Sequence, residues 1–258
     1  MNIAFASQYQ QGLRAENQDR TGVIVDERKA CFVVCDGVAG LPGGDQAAQL
    51  VCDVLIEQLL TCDQVTPALT RQAVEKCRSL LEIAQGNNPN FSTMCTTLAG
   101  LFIDRTRQRA WWAHAGDSRV YHFRHGVLNE VTRDHSLAQK LSDAGYENTG
   151  INSNLLYNAL GIEPAHPVSF SDEIMLEDGD AFLVCSDGFW LNLTTKEMEQ
   201  ALRMVNACDE WLMLMEQAVS RDVKKDNLSA LAVWIGEPQD ATLLYMLADS
   251  ARFLPSGY

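Results

Sequence analysis

Three short apolar runs in this chain each lead directly into an aspartate. Cys31-Phe32-Val33-Val34-Cys35 meets Asp36-Gly37, Trp111 to Ala115 meets Gly116-Asp117, and Ala181 to Cys185 meets Ser186-Asp187-Gly188. Runs this short and this apolar read as buried strands. An aspartate at the end of such a strand projects from a rigid platform. Two further segments join the set: Arg14-Ala15-Glu16-Asn17-Gln18-Asp19, and Asp226-Asn227-Leu228-Ser229 before another apolar run. The chain must therefore fold so that several buried strands end in acidic turns. Carboxylates that converge from such ends can hold hard divalent cations, since Mg²⁺ and Mn²⁺ take oxygen ligands and keep several waters.

The other strand signals fit sheets built from neighbours in sequence. Ile3 to Ser7, Thr21 to Val25 and Ala30 to Cys35 favour β structure, and polar Asp26 to Lys29 predicts a hairpin between the second and third. Thr93 to Ile103, Ala110 to Ala115, Val120 to Phe123, Val168 to Met175, Ala181 to Cys185 and Leu228 to Ile235 follow. Between them lie helical stripes. Asp45 to Leu60 carries apolar residues at 47, 48, 51, 54, 55 and 59. Thr66-Pro67 predicts an N-cap with proline in the first turn, and Gly86 the end of that helix. Thr194 and Glu197 form a capping box, and Trp211, Leu212, Met215 and Val219 give one more stripe. Short turns between strands predict antiparallel sheets covered by amphipathic helices. With no repeat, low-complexity tract or linker, residues 1–258 read as one domain, an α+β fold with its core over about 1–236.

Lys and Arg number 20 against 34 Asp and Glu, a formal net charge of −14. Such a chain repels nucleic acid and anionic lipid, so neither is an expected partner. The eight cysteines contain no Cys-x-x-Cys pair. Cys31 and Cys35 on one strand stand roughly 13 Å apart, beyond the ~4.4–6.8 Å that a disulfide spans. Reduced, buried thiols are the expectation. No basic-then-apolar leader opens the sequence, and no apolar run approaches the ~20 residues of a membrane span. A cytoplasmic protein is expected.

An Asp-Gly pair alone is a common turn. Asp36-Gly37 and Asp187-Gly188, each after a buried strand, with Asp226 before a third, point instead to carboxylates that need a cation, because a buried unpaired carboxylate costs several kcal/mol. A pair of divalent cations roughly 3.5–4 Å apart clamps an in-line attack on phosphorus. Arg14 offers a planar fork of donors suited to a phosphoryl group. For Asp117 the competing reading is a structural turn in which it pairs with Arg119.

In order and spacing, these motifs resemble the metal-dependent serine/threonine protein phosphatases, the PPM or PP2C type, in a compact bacterial form. The resemblance runs from about Gln8 to Ile235. It implies a four-layer α-β-β-α sandwich, with two antiparallel sheets flanked by helices. It implies that Asp36 bridges two Mn²⁺ or Mg²⁺ ions, that the Gly37 carbonyl joins it, and that Asp187 and Asp226 complete one metal's ligands. Arg14 would bind the phosphate, Asp19 would accept hydrogen bonds from metal-bound water, and Asp117 would hold a third, weaker cation. The implied activity is hydrolysis of phosphoserine and phosphothreonine by a metal-activated water, on phosphoprotein substrates and opposite a cognate Ser/Thr kinase.

The chain departs from the family pattern at Gln18, where many relatives have glutamate, and at Val38, where some carry histidine. It departs again at Cys95, where glycine is usual, and in a shorter, less basic flap over Asp134 to Gly161. None of His114, His122, His125, His135 and His166 has zinc-site spacing. Two rival readings remain: a catalytically silent binding module of the same fold, and a metal-dependent phosphoesterase for small molecules. An EF-hand is excluded by its missing Asp-x-Asp-x-Asp-Gly pattern. Beyond the resemblance, Leu243, Leu244, Leu247, Ala251 and Leu254 recur at helical spacing. They predict a tail helix within 237–258, packed on the chain's own outer helices or docked on a partner.

Overall fold

The computed structural model describes residues 1–38, 42–146, 150, 155–219 and 226–238. The strands are β1 (Ile3–Gln10), β2 (Asp19–Val25), β3 (Lys29–Asp36), β4 (Leu98–Asp104), β5 (Arg109–Ala115), β6 (Arg119–Arg124), β7 (Val127–Val131), β8 (Ser169–Phe170), β9 (Ile174–Met175), β10 (Ala181–Cys185) and β11 (Leu228–Ile235). The helices are α1 (Gly44–Leu60), α2 (Pro67–Asn87), α3 (Leu137–Asp143), α4 (Asp187–Trp190), α5 (Thr195–Met204) and α6 (Cys208–Val219).

One sheet runs β1-β11-β10-β6-β7, the other β2-β3-β4-β5-β8 with β9 also on β5, and the paired strands are antiparallel. The apolar runs are buried on both faces because each sheet is covered twice. On one face of β3, Cys31, Val33 and Cys35 pack with Ala47, Val51, Leu55, Val74 and Leu81 of α1 and α2. On its other face Phe32 and Val34 meet Phe182, Val184, Leu231 and Val233 across the sandwich. The second sheet turns Leu183, Ala230 and Ala232 outward onto Trp211, Leu212 and Met215 of α6 and Met198 of α5. Full burial of one such side chain contributes roughly 1.5–3 kcal/mol, so these three cores dominate the favourable terms. The four-layer α-β-β-α sandwich is thus as expected.

Local signals act as the sequence predicts at most helix ends. Thr66 Oγ1 accepts from Leu69 N ahead of Pro67, and Thr194 with Glu197 closes a full capping box. Gly86 does not stop α2, which continues to Asn87.

Three β expectations change. Thr93 to Thr97 is not part of β4; it leaves the sheet to line the acidic end, with Thr96 bridging Gly37 on one side and Leu160 on the other. Val168 to Met175 splits into β8 and β9, because Ser171 breaks the run by bonding Trp112 through both its backbone and its hydroxyl. The strand β7 was not expected, since Asn129 and Glu130 interrupt its alternation. All eight cysteines are free, seven of them buried. The predicted tail helix from Asp240 to Leu254 lies outside the described residues.

Candidate active site

Both sheets end together at one edge, and there the acidic turns meet. The ends of β3 and β2 bring Asp36 and Asp19 opposite each other as register partners. The β5–β6 turn carries Asp117, the first turn of α4 carries Asp187, and the residue pair before β11 supplies Asp226. Arg14 lies in the β1–β2 loop. A cleft of about 330 Å³ is lined by Arg14, Gln18, Asp36, Gly37, Thr97, Asp117, Leu156, Asp187, Asp226 and Asn227, among others. All seven residues singled out in the sequence are brought together: six line the cleft, and Asp19, fully buried, lies beneath it.

Backbone bonds and hydroxyls hold the platform. Thr97 Oγ1 accepts from Asp36 N at 3.0 Å and shares a 2.6 Å bond with Ser118 Oγ. Thr96 Oγ1 donates to the Asp36 carbonyl at 2.9 Å, and Gly37 N donates to the Gln18 carbonyl. Ser186 Oγ donates to Asp19 Oδ2 at 2.9 Å. Asp19 Oδ1 and Ser229 Oγ are buried without a hydrogen-bond partner.

The carboxylates raise one another's pKa. Burial, then the charges of Asp19, Asp187 and Asp117, push Asp36 well above the carboxylate range. Burial and Asp226 raise Asp187. Burial, Asp187 and Asp134 lift Asp117 to about 7. Burial lifts Asp19 to about 6 against the opposing bond from the Ser186 hydroxyl. Among the described residues, the cationic partner bonded to the cluster is Arg14, whose Nε and Nη2 donate to Asp226 Oδ1 and Oδ2 at 2.8 and 2.7 Å.

Arg119 does not pair with Asp117 as the structural alternative supposed. Its guanidinium forks onto Asp134 at 2.7 and 2.8 Å and donates to Tyr121 Oη. It also stacks 3.2 Å from the centroid of the Trp190 ring. Trp190 Nε1 in turn donates to the Asp117 carbonyl at 2.9 Å. The Asp117 turn is thereby tied to the helix that starts at Asp187, while the Asp117 carboxyl faces the cleft. Trp190, Asp134, Ser118 and Ser186 were not singled out by sequence reasoning. Trp190, Ser118 and Ser186 stand within a few residues of an acidic motif and Asp134 does not, and only the fold shows which groups each of them holds.

The histidines stay out of the cleft lining. His114 Nε2 bonds the Arg133 carbonyl and its ring stacks on His135 at 4.3 Å. Burial and the neighbouring His114 and His166 lower His135 to about 4. Val38 at the cleft wall offers no acid.

The donor set is all hard oxygen, with a buried Asp19 oxygen lacking a donor and, among the described residues, only Arg14 bonded to the cleft carboxylates as a cation. That chemistry fits hard divalent cations. Among the described residues no three Asp, Glu, His or Cys side chains stand at mutual ligand spacing.

A sandwich of two antiparallel sheets ending in a carboxylate cleft is the architecture of the protein phosphatase 2C family, whose model matches residues 6–232. The chain belongs to that family and is a protein phosphatase of the 2C type. Among curated relatives, the serine/threonine phosphatase stp of Listeria monocytogenes is 26% identical over 233 residues, 86% of this chain and 91% of stp. The crystal structure of the serine/threonine phosphatase PstP from Mycobacterium tuberculosis matches with a TM-score of 0.77 at 25% identity, over 91% of this chain and 99% of that one. The catalytic domain of PstP in complex with two manganese ions matches with a TM-score of 0.76 at 26% identity, over 91% and 99%.

Proposed function

We propose that this chain removes phosphate from phosphoserine and phosphothreonine in proteins, in a reaction that depends on Mn²⁺ or Mg²⁺. The observation that carries this reading is the cleft itself. Asp36, Asp117, Asp187 and Asp226 converge there from two sheets beside Arg14, and burial with mutual repulsion raises the Asp36 and Asp187 pKa values, as in carboxylates that few cations of the described residues balance. Asp36, the Gly37 carbonyl, Asp187 and Asp226 would hold two divalent cations, as PstP holds two manganese ions, and Asp117 a third, weaker one. When bound, such cations lower the pKa of a coordinated water and neutralise phosphoryl charge.

The protein groups then have separate tasks. Asp19, behind Asp36, accepts hydrogen bonds from below and fixes the orientation of what occupies the floor. Arg14 presents a fork to two phosphoryl oxygens. Its present fork on Asp226 is half exposed, 45% for the arginine and 35% for the aspartate. Exposed pairs contribute ~1 kcal/mol or less, so turning Arg14 from Asp226 to a phosphate costs little. Gln18 leaves the cleft one negative charge short of a glutamate, which weakens its hold on the second ion.

The relatives' activity as serine/threonine phosphatases supports phosphoproteins as substrates and a Ser/Thr kinase as the opposing enzyme. One core joins the two sheets face to face and each of the other two cores binds one sheet to its covering helices, which supports one phosphatase domain. Among the described residues no helix is long and apolar enough to cross a membrane, and eight free thiols suit a reducing cytoplasm.

The test is hydrolysis of a phosphothreonine peptide and of an aryl phosphate by the purified chain. Mn²⁺ or Mg²⁺ should support turnover, EDTA abolish it and added metal restore it. Turnover indifferent to EDTA sinks the reading. Preference for phosphorylated metabolites over peptides would replace proteins with small molecules as substrates.

A further inference from the structure

The loop that presents Arg14 has no regular structure from residue 11 to residue 18, yet a phosphate fork works only if it is aimed. We infer that Asn227 is the positioning residue that aims it. This rests on the phosphatase reading, with Arg14 as phosphate anchor.

Asn227 is 7% exposed and spends its whole side-chain amide on that loop. Its Nδ2 donates to the Gln11 carbonyl at 2.8 Å and to the Glu16 carbonyl at 3.0 Å, and its Oδ1 accepts from Gln18 N at 2.9 Å. Two carbonyls on one side and one N–H on the other fix which end of the amide is which. The bonds grip the loop on both flanks of Arg14. Gln11 braces it from inside, donating to the carbonyls of Arg14 and Ala15 at 2.8 and 2.9 Å.

Asn227 is itself held. The backbone of residues 226 and 227 is pinched between two glycines: a Cβ on Gly12 would overlap the Asp226 carbonyl, and a Cβ on Gly188 would overlap the Asn227 carbonyl. Gly12 belongs to the Arg14 loop and Gly188 follows Asp187. One amide therefore couples the phosphate-binding loop to the Asp187 turn and to the start of β11. Small motion at either acidic turn is passed to Arg14 through it.

The experiment compares wild type with Asn227→Asp, Asn227→Ala, Arg14→Ala and the double variant Arg14→Ala/Asn227→Asp, all loaded with Mn²⁺. Asn227→Asp keeps the acceptor for Gln18 but turns the donor into an oxygen facing two carbonyls. The readouts are inhibition of aryl-phosphate hydrolysis by inorganic phosphate, Mn²⁺ affinity by calorimetry, melting temperature, and amide exchange across residues 11–18. Each Asn227 variant should weaken phosphate inhibition about tenfold, within the ~10²-fold that misplacement by an ångström costs. Exchange should quicken in 11–18 while β10 and β11 stay protected, and Mn²⁺ affinity should hold. In the Arg14→Ala background, Asn227→Asp should add little, because two residues acting through one contact are not additive.

Unchanged loop exchange, or costs that multiply in the double variant, overturns the role of Asn227. If Asn227→Ala does not fold, the near-isosteric Asn227→Asp decides. If Arg14→Ala itself leaves phosphate inhibition intact, the phosphate-anchor reading fails and the inference falls with it. If Arg14→Ala weakens inhibition and Asn227→Asp does not, only the inference fails.

Discussion

The two ends of β10 treat buried carboxylate in opposite ways. Asp180, just before the strand, is fully buried and fully partnered. Arg124 forks onto it at 2.7 and 2.8 Å, His122 Nε2 reaches it at 3.1 Å and Glu177 N donates at 2.9 Å. Asn129 Nδ2 donates to His122 Nδ1, leaving Nε2 to carry the ring proton toward Asp180. Burial alone would raise the Asp180 pKa, but the Arg124 fork and His122 hold it below the usual value. At the other end, Asp187 and its neighbours Asp36, Asp117 and Asp19 face one another and all are raised. The same strand, five residues long, thus separates a finished ion cluster from an unfinished one. Where a carboxylate serves structure, the chain supplies the cation itself. Where the described residues bond only Arg14 to a group of raised carboxylates, the carboxylates suit a cation that arrives from solution.

The largest expected effect breaks or keeps this contrast at once. Asp36→Asn and Asp226→Asn should each lower metal-supported turnover by several orders of magnitude, since on the proposed reading each would remove a metal ligand from the site that activates the attacking water. In EDTA, Asp36→Asn should melt no lower than wild type, because it relieves repulsion among buried like charges. Near-normal turnover in either variant would show that the acidic end is only a solvated turn cluster.

The mirror variant comes next. Asp180→Ala leaves Arg124 and His122 facing a void, and breaking a buried charge pair costs about 3–5 kcal/mol. Urea denaturation should show that loss, with turnover per folded molecule unchanged. A fall in turnover without a fall in stability would mean that the far cluster communicates with the cleft, and the two ends would no longer be separable.

Much of this contrast was legible in the sequence, though unevenly. The acidic ends were readable because each follows a run such as Phe182-Leu183-Val184, whose burial on both faces leaves the next polar residue at a sheet edge. The family resemblance then placed Arg14 and the five aspartates in one site. Asp180 was not readable: His122, Arg124 and Glu177 are scattered over 56 residues and meet only because β6 pairs with β10 in one register. Arg119 misled for a related reason. Two residues from Asp117 it looked like a local partner, but alternation along β6 sends its side chain toward Asp134 and Trp190. The strand β7 and the short α3 escaped because Asn129-Glu130 and a seven-residue helix leave too little periodicity to count.

The smallest effect is a pH dependence, and its sign separates the two ends of β10. Asp19 at about 6 and Asp117 at about 7 lie above the unfolded value of 3.8. From about pH 4 to pH 7 the native state therefore holds more protons at these sites than the unfolded chain does, and they make stability fall as pH rises. Asp180 acts the other way: its folded value is depressed, so its contribution is present above 3.8 and is lost as pH falls through that lower value. His114 and His135, lowered by burial, also favour the folded state as pH rises through the same window. Both histidines titrate with or without metal, whereas bound cations hold the cleft carboxylates charged and remove their repulsion. The gap between melting temperatures in Mn²⁺ and in EDTA therefore reads the cleft carboxylates alone. It should widen from about pH 4 to pH 7 and then level off, and Asp180→Asn should leave that widening in place while lowering both curves. A gap that stays constant across the window would mean that the cleft carboxylates are already compensated within the protein, as Asp180 is.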